Sequence, residues 1–192
     1  MGTTADDSPR TETDAARDGR AHLILLTLPL ECLDALISGD LPAASAAAGI
    51  VLTDYFSGPE TVWLWKIRAE QLRERPGDAP WIARAAFSVT ENTVVGHAGF
   101  HSAPDDVGMV EVAYEVQPEF RRRGYATAML AALVDRAVAE PSVRVIRASV
   151  SPDNAGSLAT IAHFGFHRAG EQWDEEDGLE LVFERSAEPA AD

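Results

Sequence analysis

The chain has 192 residues, long enough for one domain with a sizeable core. Its formal net charge of −15, from 31 acidic against 16 basic residues, opposes non-specific binding to nucleic acid or to an anionic membrane. The single cysteine, Cys32, rules out an internal disulfide. No apolar run approaches the roughly 18 to 20 residues that cross a bilayer, so a cytoplasmic location is expected, and no metal is called for.

Residues 1–20 are polar and without periodicity, which predicts a disordered tail, and residues 186–192 look the same; a single domain is expected over 21–185. His22 to Leu28 reads as a first strand. Pro29 opens a helix to about Ser38, with Leu30, Leu33 and Ile37 on its buried face. A second helix is expected from Leu41 to Ala48, capped by Asp40 and stopped by Gly49. Ser57-Gly58-Pro59-Glu60 has the form of a capping box and opens a helix through about Arg73. That helix carries Trp63 and Trp65, which point to different faces because helix neighbours two apart diverge. One ring can be core while the other lines a pocket, or both can simply pack.

After a turn at Arg75-Pro76-Gly77-Asp78, Trp81 to Val89 and Thr93 to His101 predict a hairpin around Thr90-Glu91-Asn92. Met109 to Val116 alternates apolar and polar residues as a strand does. Gly124 to about Ala139 is an amphipathic helix through Met129, Leu130, Leu133, Val134 and Ala137. Val143 to Val150 follows as a strand, placed parallel to the previous one by the crossover helix. Asn154 caps a helix to about His163, and Phe166 to Trp173 with Leu179 to Arg185 closes the chain as a hairpin over Asp174-Glu175-Glu176-Asp177-Gly178. The count is seven strands and about five helices, a mixed α/β domain without repeats.

The stretch from Met109 to Met129 joins strand to helix through Arg121-Arg122-Arg123-Gly124. Amides at a helix start lack intrahelical partners and sit at the positive end of the helix dipole, so such a turn holds phosphate groups. Three arginines on an acidic background strengthen that reading, and Gly124 lets the backbone approach a ligand. The turn lacks the Gly-x-x-x-x-Gly-Lys-Ser/Thr and Gly-x-Gly-x-x-Gly forms, which disfavours an ordinary nucleotide-binding protein. Glu111 and Glu115, four apart on the strand, face the same side. A glutamate there can act as a base or only pair with an arginine. His97 and His101 on the adjacent strand are alternative bases, because an imidazole has a suitable pKa.

Arg121-Arg122-Arg123-Gly124-Tyr125-Ala126 matches the Arg/Gln-x-x-Gly-x-Gly/Ala signature, and Ser151-Pro152-Asp153-Asn154-Ala155-Gly156-Ser157, running to Gly165-Phe166, follows at the expected distance. Together they resemble the GNAT superfamily of acyl-CoA-dependent N-acyltransferases, in the branch that includes the ribosomal-protein N-terminal acetyltransferases. The resemblance covers about residues 82–185. It implies a seven-stranded, mostly antiparallel sheet flanked by helices, with one splayed parallel strand pair. It also implies acetyl-CoA as acyl donor and direct attack on the thioester by a primary amine, from a small molecule or a protein N-terminus. A monomer or homodimer is expected.

The resemblance assigns roles to residues as well. The amides of Arg122, Arg123, Gly124, Tyr125 and Ala126 would hold the pyrophosphate, with Arg121 leading the signature. Glu115, Val116 and Gln117 would offer main-chain bonds to the pantetheine arm. Asn154 would contact the same arm, a role compatible with helix capping. Glu111 would be the catalytic or water-ordering glutamate and would face the acceptor, and Ser157 would lie near the cofactor sulfur. The region of Trp63 and Trp65 covers the acceptor site in relatives. Ile161 stands where many relatives carry a proton-donating tyrosine, and its side chain cannot donate. Tyr114 is expected on the opposite side of the strand and Tyr125 in the phosphate turn, which disfavours both as donors. Cys32 lies away from these motifs, so a covalent acyl-enzyme is not expected. The competing reading is a non-catalytic acyl-CoA-binding module; the missing tyrosine favours it, and Glu111, Asn154 and Ser157 oppose it.

Overall fold

A computed structural model describes residues 22–175 and 178–188. In chain order the elements are β1 (Leu23–Thr27), α1 (Leu30–Ile37), α2 (Leu41–Ala48), α3 (Pro59–Glu74), β2 (Arg84–Ser88), β3 (Thr93–Phe100), β4 (Met109–Val116), α4 (Tyr125–Val138), β5 (Val145–Val150), α5 (Ala155–Ile161), β6 (His167–Asp174) and β7 (Gly178–Ser186). The strands form one seven-stranded sheet in the order β1-β2-β3-β4-β5-β7-β6. Every neighbouring pair is antiparallel except β4 and β5, which the crossover through α4 makes parallel. The apolar stripe foreseen on α4 is buried as a unit: Met129, Leu130, Leu133, Val134 and Ala137 all lie in the core. Each large side chain among them contributes about 1.5–3 kcal/mol by leaving water.

The sheet is continuous at its centre only over a short length. Parallel pairing of β4 with β5 runs from Met109 opposite Val145 to Glu111 opposite Arg147 and stops there. Beyond that point β4 stays with β3 as far as Val116, and β5 stays with β7 as far as Val150. The two strands therefore part and leave a wedge. Glu111 accepts at its main-chain oxygen from the His101 N–H, and the Gln117 N–H donates to the Val95 oxygen, so odd-numbered residues of β4 turn their main-chain groups toward β3. Successive residues of a strand alternate in this respect. Val112, Tyr114 and Val116 accordingly turn theirs toward the wedge.

Several local expectations are corrected. The capping box does not form: Ser57 ends a 3-10 turn, Asp54–Ser57, and its hydroxyl donates to the Asp54 oxygen, while Gly58 caps α3 without a side-chain bond. Pro59 at the first helical position has no N–H to be satisfied, which removes one reason for a cap. Trp81 is not in a strand, because the amides of Trp81 and Ile82 bond back to the Asp78 oxygen and Ala83 takes a φ of 49° before β2 begins. β7 continues through Ser186, and Ala187 is buried with its N–H on the Arg144 oxygen, so the fold reaches past Arg185. The expected leader 1–20, the turn residues Glu176 and Asp177, and the end of the chain from residue 189 lie outside the described residues. Among the described residues, no helix is long and apolar enough to cross a membrane.

Candidate active site

A cavity of about 710 Å³ opens along the wedge between the turn before α4 and the start of α5. Tyr114, Glu115 and Val116 form its strand wall, Arg122 and Gly124 to Thr127 its helix wall, and Asn154, Gly156, Ser157 and Thr160 the far side. Among the described residues, no side chain caps α4. Its first amides thus face the cavity with the positive end of the helix dipole behind them. Two residues of the turn take left-handed backbone, Arg122 at φ 60° and Gly124 at φ 83°, and this aims successive N–H groups inward.

The three arginines do different things. Arg121 Nε donates to the Val116 oxygen at 3.0 Å and its Nη2 lies 3.4 Å from Glu115 Oε1, so it braces the end of β4. Arg123 reaches Glu91 at 3.7 Å and lies over the Phe120 ring. Arg122 lines the cavity and makes no ion pair among the described residues, so it is the arginine free to meet an anion. Tyr125 is buried, its hydroxyl 3.0 Å from Ser88 Oγ, and only its main chain is available to a ligand.

Main-chain geometry corrects the expectation for Gln117. Its N–H donates to Val95, its carbonyl accepts from the Phe120 N–H, and its buried side chain bridges Thr53 Oγ1 at 3.2 Å and the Val94 oxygen at 3.0 Å. Gln117 therefore holds the end of β4 in place, with its N–H committed to β3 and its carbonyl already accepting one bond. Glu115 turns its main chain toward β3 as well, and the residue borders the cavity while its carboxylate meets His97 and Arg121. That carboxyl is held below its ordinary range chiefly by the His97 imidazole 3.6 Å away, against the effect of burial, with Tyr55 and Arg121 adding to the lowering.

On the far side, Asn154 Oδ1 accepts from the Ser157 N–H at 3.0 Å and caps α5, which leaves its amide NH₂ unused by the cap in a residue that borders the cavity. Ser157 and Thr160 follow on the same helical face. Ile161 is buried in the core.

A second cavity of about 290 Å³ lies on the other side of the wedge, with Glu111, His101, Ser149 and Glu180 in its wall. It shares Tyr114, Asn154 and Ser157 with the first. Glu111 Oε1 accepts from Ser149 Oγ at 2.5 Å, Gln172 Nε2 donates to Ser149 Oγ at 3.2 Å, and the same nitrogen donates to Glu180 Oε2 at 2.8 Å. Sequence reading missed Ser149, Gln172 and Glu180. Each stands on a different strand, and only the order β5-β7-β6 brings them together. The polar positions Arg147 and Ser149 inside an otherwise apolar strand were the available signal.

The two histidines differ. His101 borders this second cavity, and burial holds its imidazole below the ordinary value, with the charge of Glu111 opposing the shift. His97 sits apart, 3.6 Å from Glu115 and packed against the rings of Tyr55 and Trp65. Trp65 is core: its ring stacks on Phe56 and its Nε1–H donates to the Phe56 oxygen at 2.9 Å. Trp63 stays 48% exposed, and neither ring lines the two larger cavities. Tyr114 was expected to be remote because it occupies the opposite face of β4 from Glu111. The parting of the strands opens that face too, and the Tyr114 hydroxyl lies buried beside Ser157 and Thr160.

Comparison with known proteins matches residues 40–167 to the family model described as Acetyltransferase (GNAT) domain. Over 81 residues the chain is 33% identical to the uncharacterized N-acetyltransferase YjdG of Bacillus subtilis (strain 168), a match covering 41% of this chain and 48% of that one. The matched region thus spans about half the length of that relative. Among solved structures, a chimera of spermidine N-acetyltransferase SpeG from Vibrio cholerae and hSSAT superposes with a TM-score of 0.62 at 13% identity, over 87% of this chain and 96% of that one. The ribosomal-protein-S5-alanine acetyltransferase of Vibrio fischeri superposes with a TM-score of 0.61 at 16% identity, over 89% and 96% of the two chains. At such identities these two structures speak for the fold alone.

Proposed function

The chain belongs to the GNAT acetyltransferase family, and on that premise we propose that it transfers an acetyl group from acetyl-CoA to a primary amine by direct attack of the amine on the thioester. The observation that carries this reading is the meeting of two cavities at the wedge, with uncapped helix amides and a free arginine on one side and a glutamate on the other. Acetyl-CoA, when bound, supplies an activated acyl carbon on a thiol leaving group. The residues present fit such a molecule: an anion cradle at one end, an open strand edge along the middle, and hydroxyl and amide groups at the junction.

The chain's own groups divide the work. The amides from Arg122 to Ala126, with the Arg122 guanidinium, take the diphosphate charge. The Asn154 amide and the Val116 N–H, on the wedge side of β4, hold the arm. The Tyr114 N–H, turned toward the wedge, is placed to donate to the thioester oxygen as negative charge develops there. Glu111, held by Ser149, takes a proton from the incoming ammonium so that its nitrogen becomes a nucleophile. With acetyl-CoA bound, the Ser157 hydroxyl, in the wall shared by the two cavities, would meet the departing sulfur.

Among the described residues, the acceptor cavity has Glu111 and Glu180 in its wall and no lysine or arginine. It therefore suits a cationic amine, which could be a small polyamine or a protein N-terminus; the two solved neighbours are named for one of each. A thiol-release assay with acetyl-CoA and a panel containing both kinds of acceptor tests the proposal. Turnover with at least one member is expected. CoA binding by calorimetry with silence across the panel would instead support a non-catalytic acyl-CoA-binding module.

A further inference from the structure

Three residues border both cavities, and one of them, Tyr114, has no task in the scheme above beyond its main chain. Its hydroxyl is buried and meets no partner at full hydrogen-bond geometry, although the Ser157 and Thr160 hydroxyls stand close enough to favour its ionised form. A buried polar atom without a partner is unfavourable and uncommon, and such atoms in native proteins point to a role. The hydroxyls nearest to it belong to Ser157 and Thr160, one helical turn apart on α5. The Thr160 hydroxyl already donates to the Gly156 oxygen at 2.8 Å. The Ser157 hydroxyl has no such commitment, and only its N–H is used, by Asn154.

We propose that Tyr114 is a positioning residue for sulfur departure: its phenol donates to Ser157 Oγ and so turns the Ser157 O–H toward the thiol sulfur of CoA. A hydroxyl free to rotate would present a lone pair to the sulfur as often as its proton. With one lone pair held by Tyr114, the proton is aimed at the atom that gains charge, and no reorientation is needed during the reaction. This fills the place left by Ile161 from a different strand and through an intermediary. The balance is simple. The ammonium gives its first proton through Glu111 to solvent, the freed lone pair forms the C–N bond, the C–S bond breaks with its pair on sulfur, and the second proton lost by nitrogen passes through Glu111 and solvent to the sulfur. Tyr114 gives up no proton. Burial pushes its phenol above the ordinary value, with Ser157 and Thr160 working against the shift, so it remains a donor throughout the neutral range.

The inference rests on the acetyl-transfer reading, and its test separates the two. CoA binding is measured first by calorimetry, and the thiol pKa of bound CoA is then titrated through the ultraviolet absorbance of its thiolate in wild type, Tyr114→Phe, Ser157→Ala and the double variant. The expected result is a bound thiol about one pKa unit more acidic in wild type than in either single variant, with the double variant no different from the singles. Tyr114→Phe should also lower kcat about tenfold with KM for acetyl-CoA unchanged and the melting temperature preserved. Equal thiol pKa values in wild type and Tyr114→Phe would overturn the inference and leave acetyl transfer standing. Additive effects of the two substitutions would overturn it as well, since they would show independent roles. Absence of CoA binding would remove both.

Discussion

Glu111 is the last residue of β4 paired with β5, and Ser149, two residues beyond its partner Arg147, donates a 2.5 Å hydrogen bond to its carboxylate across the point where the strands part. One carboxylate oxygen is thus fixed by the far strand, in a residue that borders the second cavity. Glu111→Gln is expected to lower kcat about 100-fold or more, the range for loss of a positioned base, with CoA affinity unchanged by calorimetry. Ser149→Ala should lower kcat by about tenfold only, because the base survives but its aim does not. Equal kcat in wild type and Glu111→Gln would mean that this glutamate merely pairs with its neighbours.

Histidine 101 gives a pH dependence of known sign. Burial and the Arg68 guanidinium hold its imidazole below the ordinary value of 6.5, while Glu111, Glu180 and Asp174 pull the other way without cancelling the shift. Below about pH 6.5 the unfolded chain binds a proton at this position that the folded chain refuses, so stability falls as the pH drops through that window. The loss levels off once the folded His101 is itself protonated. Urea titrations between pH 5 and 7.5 should show His101→Gln with a shallower acid decline than wild type. A parallel decline in the two proteins would assign the acid sensitivity elsewhere.

The unequal arginines yield a binding prediction. Charge-assisted hydrogen bonds contribute about 1.5–3 kcal/mol where water is excluded, and less where it is not. Arg122→Ala should therefore weaken CoA about fivefold to tenfold, more at low salt than at high. Arg123→Ala, which removes a side chain already engaged with Glu91 and Phe120, should change the affinity by less than about twofold. Isothermal calorimetry on both variants decides the matter, and equal losses would show that the cradle reads total charge and not the position of one guanidinium.

Local periodicity made α4, the β4 alternation and the capped start of α5 legible, because each depends on neighbours within a turn or two. The parting of β4 from β5 was implied by resemblance and not by any residue count, since register is set by partners far along the chain. For the same reason the direction of the Gln117 main chain could not be foreseen: its pairing with Val95 depends on where the β3 ladder ends. The Ser149–Gln172–Glu180 chain spans three strands and was invisible for that reason too. Ser57 misled because its sequence matches a cap while Pro59 and the preceding 3-10 turn already satisfy the helix entry. Tyr114 was discounted by a rule about strand faces that holds only where the sheet is continuous.

Two glycines, Gly96 on β3 and Gly124 in the turn before α4, should fail differently when given a methyl group. A Cβ at Gly96 would lie 2.1 Å from the Glu115 main-chain oxygen and 2.9 Å from Met129 Cε, and the first of these cannot move without disturbing the β3–β4 ladder. A Cβ at Gly124 meets nothing within 4 Å, so the cost there is only the left-handed φ of 83°. Gly96→Ala is expected to lose about 3 kcal/mol or more, the upper range for overpacking, and Gly124→Ala about 1–2 kcal/mol. In function the order reverses relative to stability. Gly96→Ala that remains folded keeps an intact phosphate turn, whereas Gly124→Ala strains the residue that aims the α4 amides and should weaken CoA severalfold. Paired urea denaturation and calorimetry on the two variants would show this crossing. If Gly124→Ala bound CoA like wild type, the left-handed cap would be a requirement of folding alone.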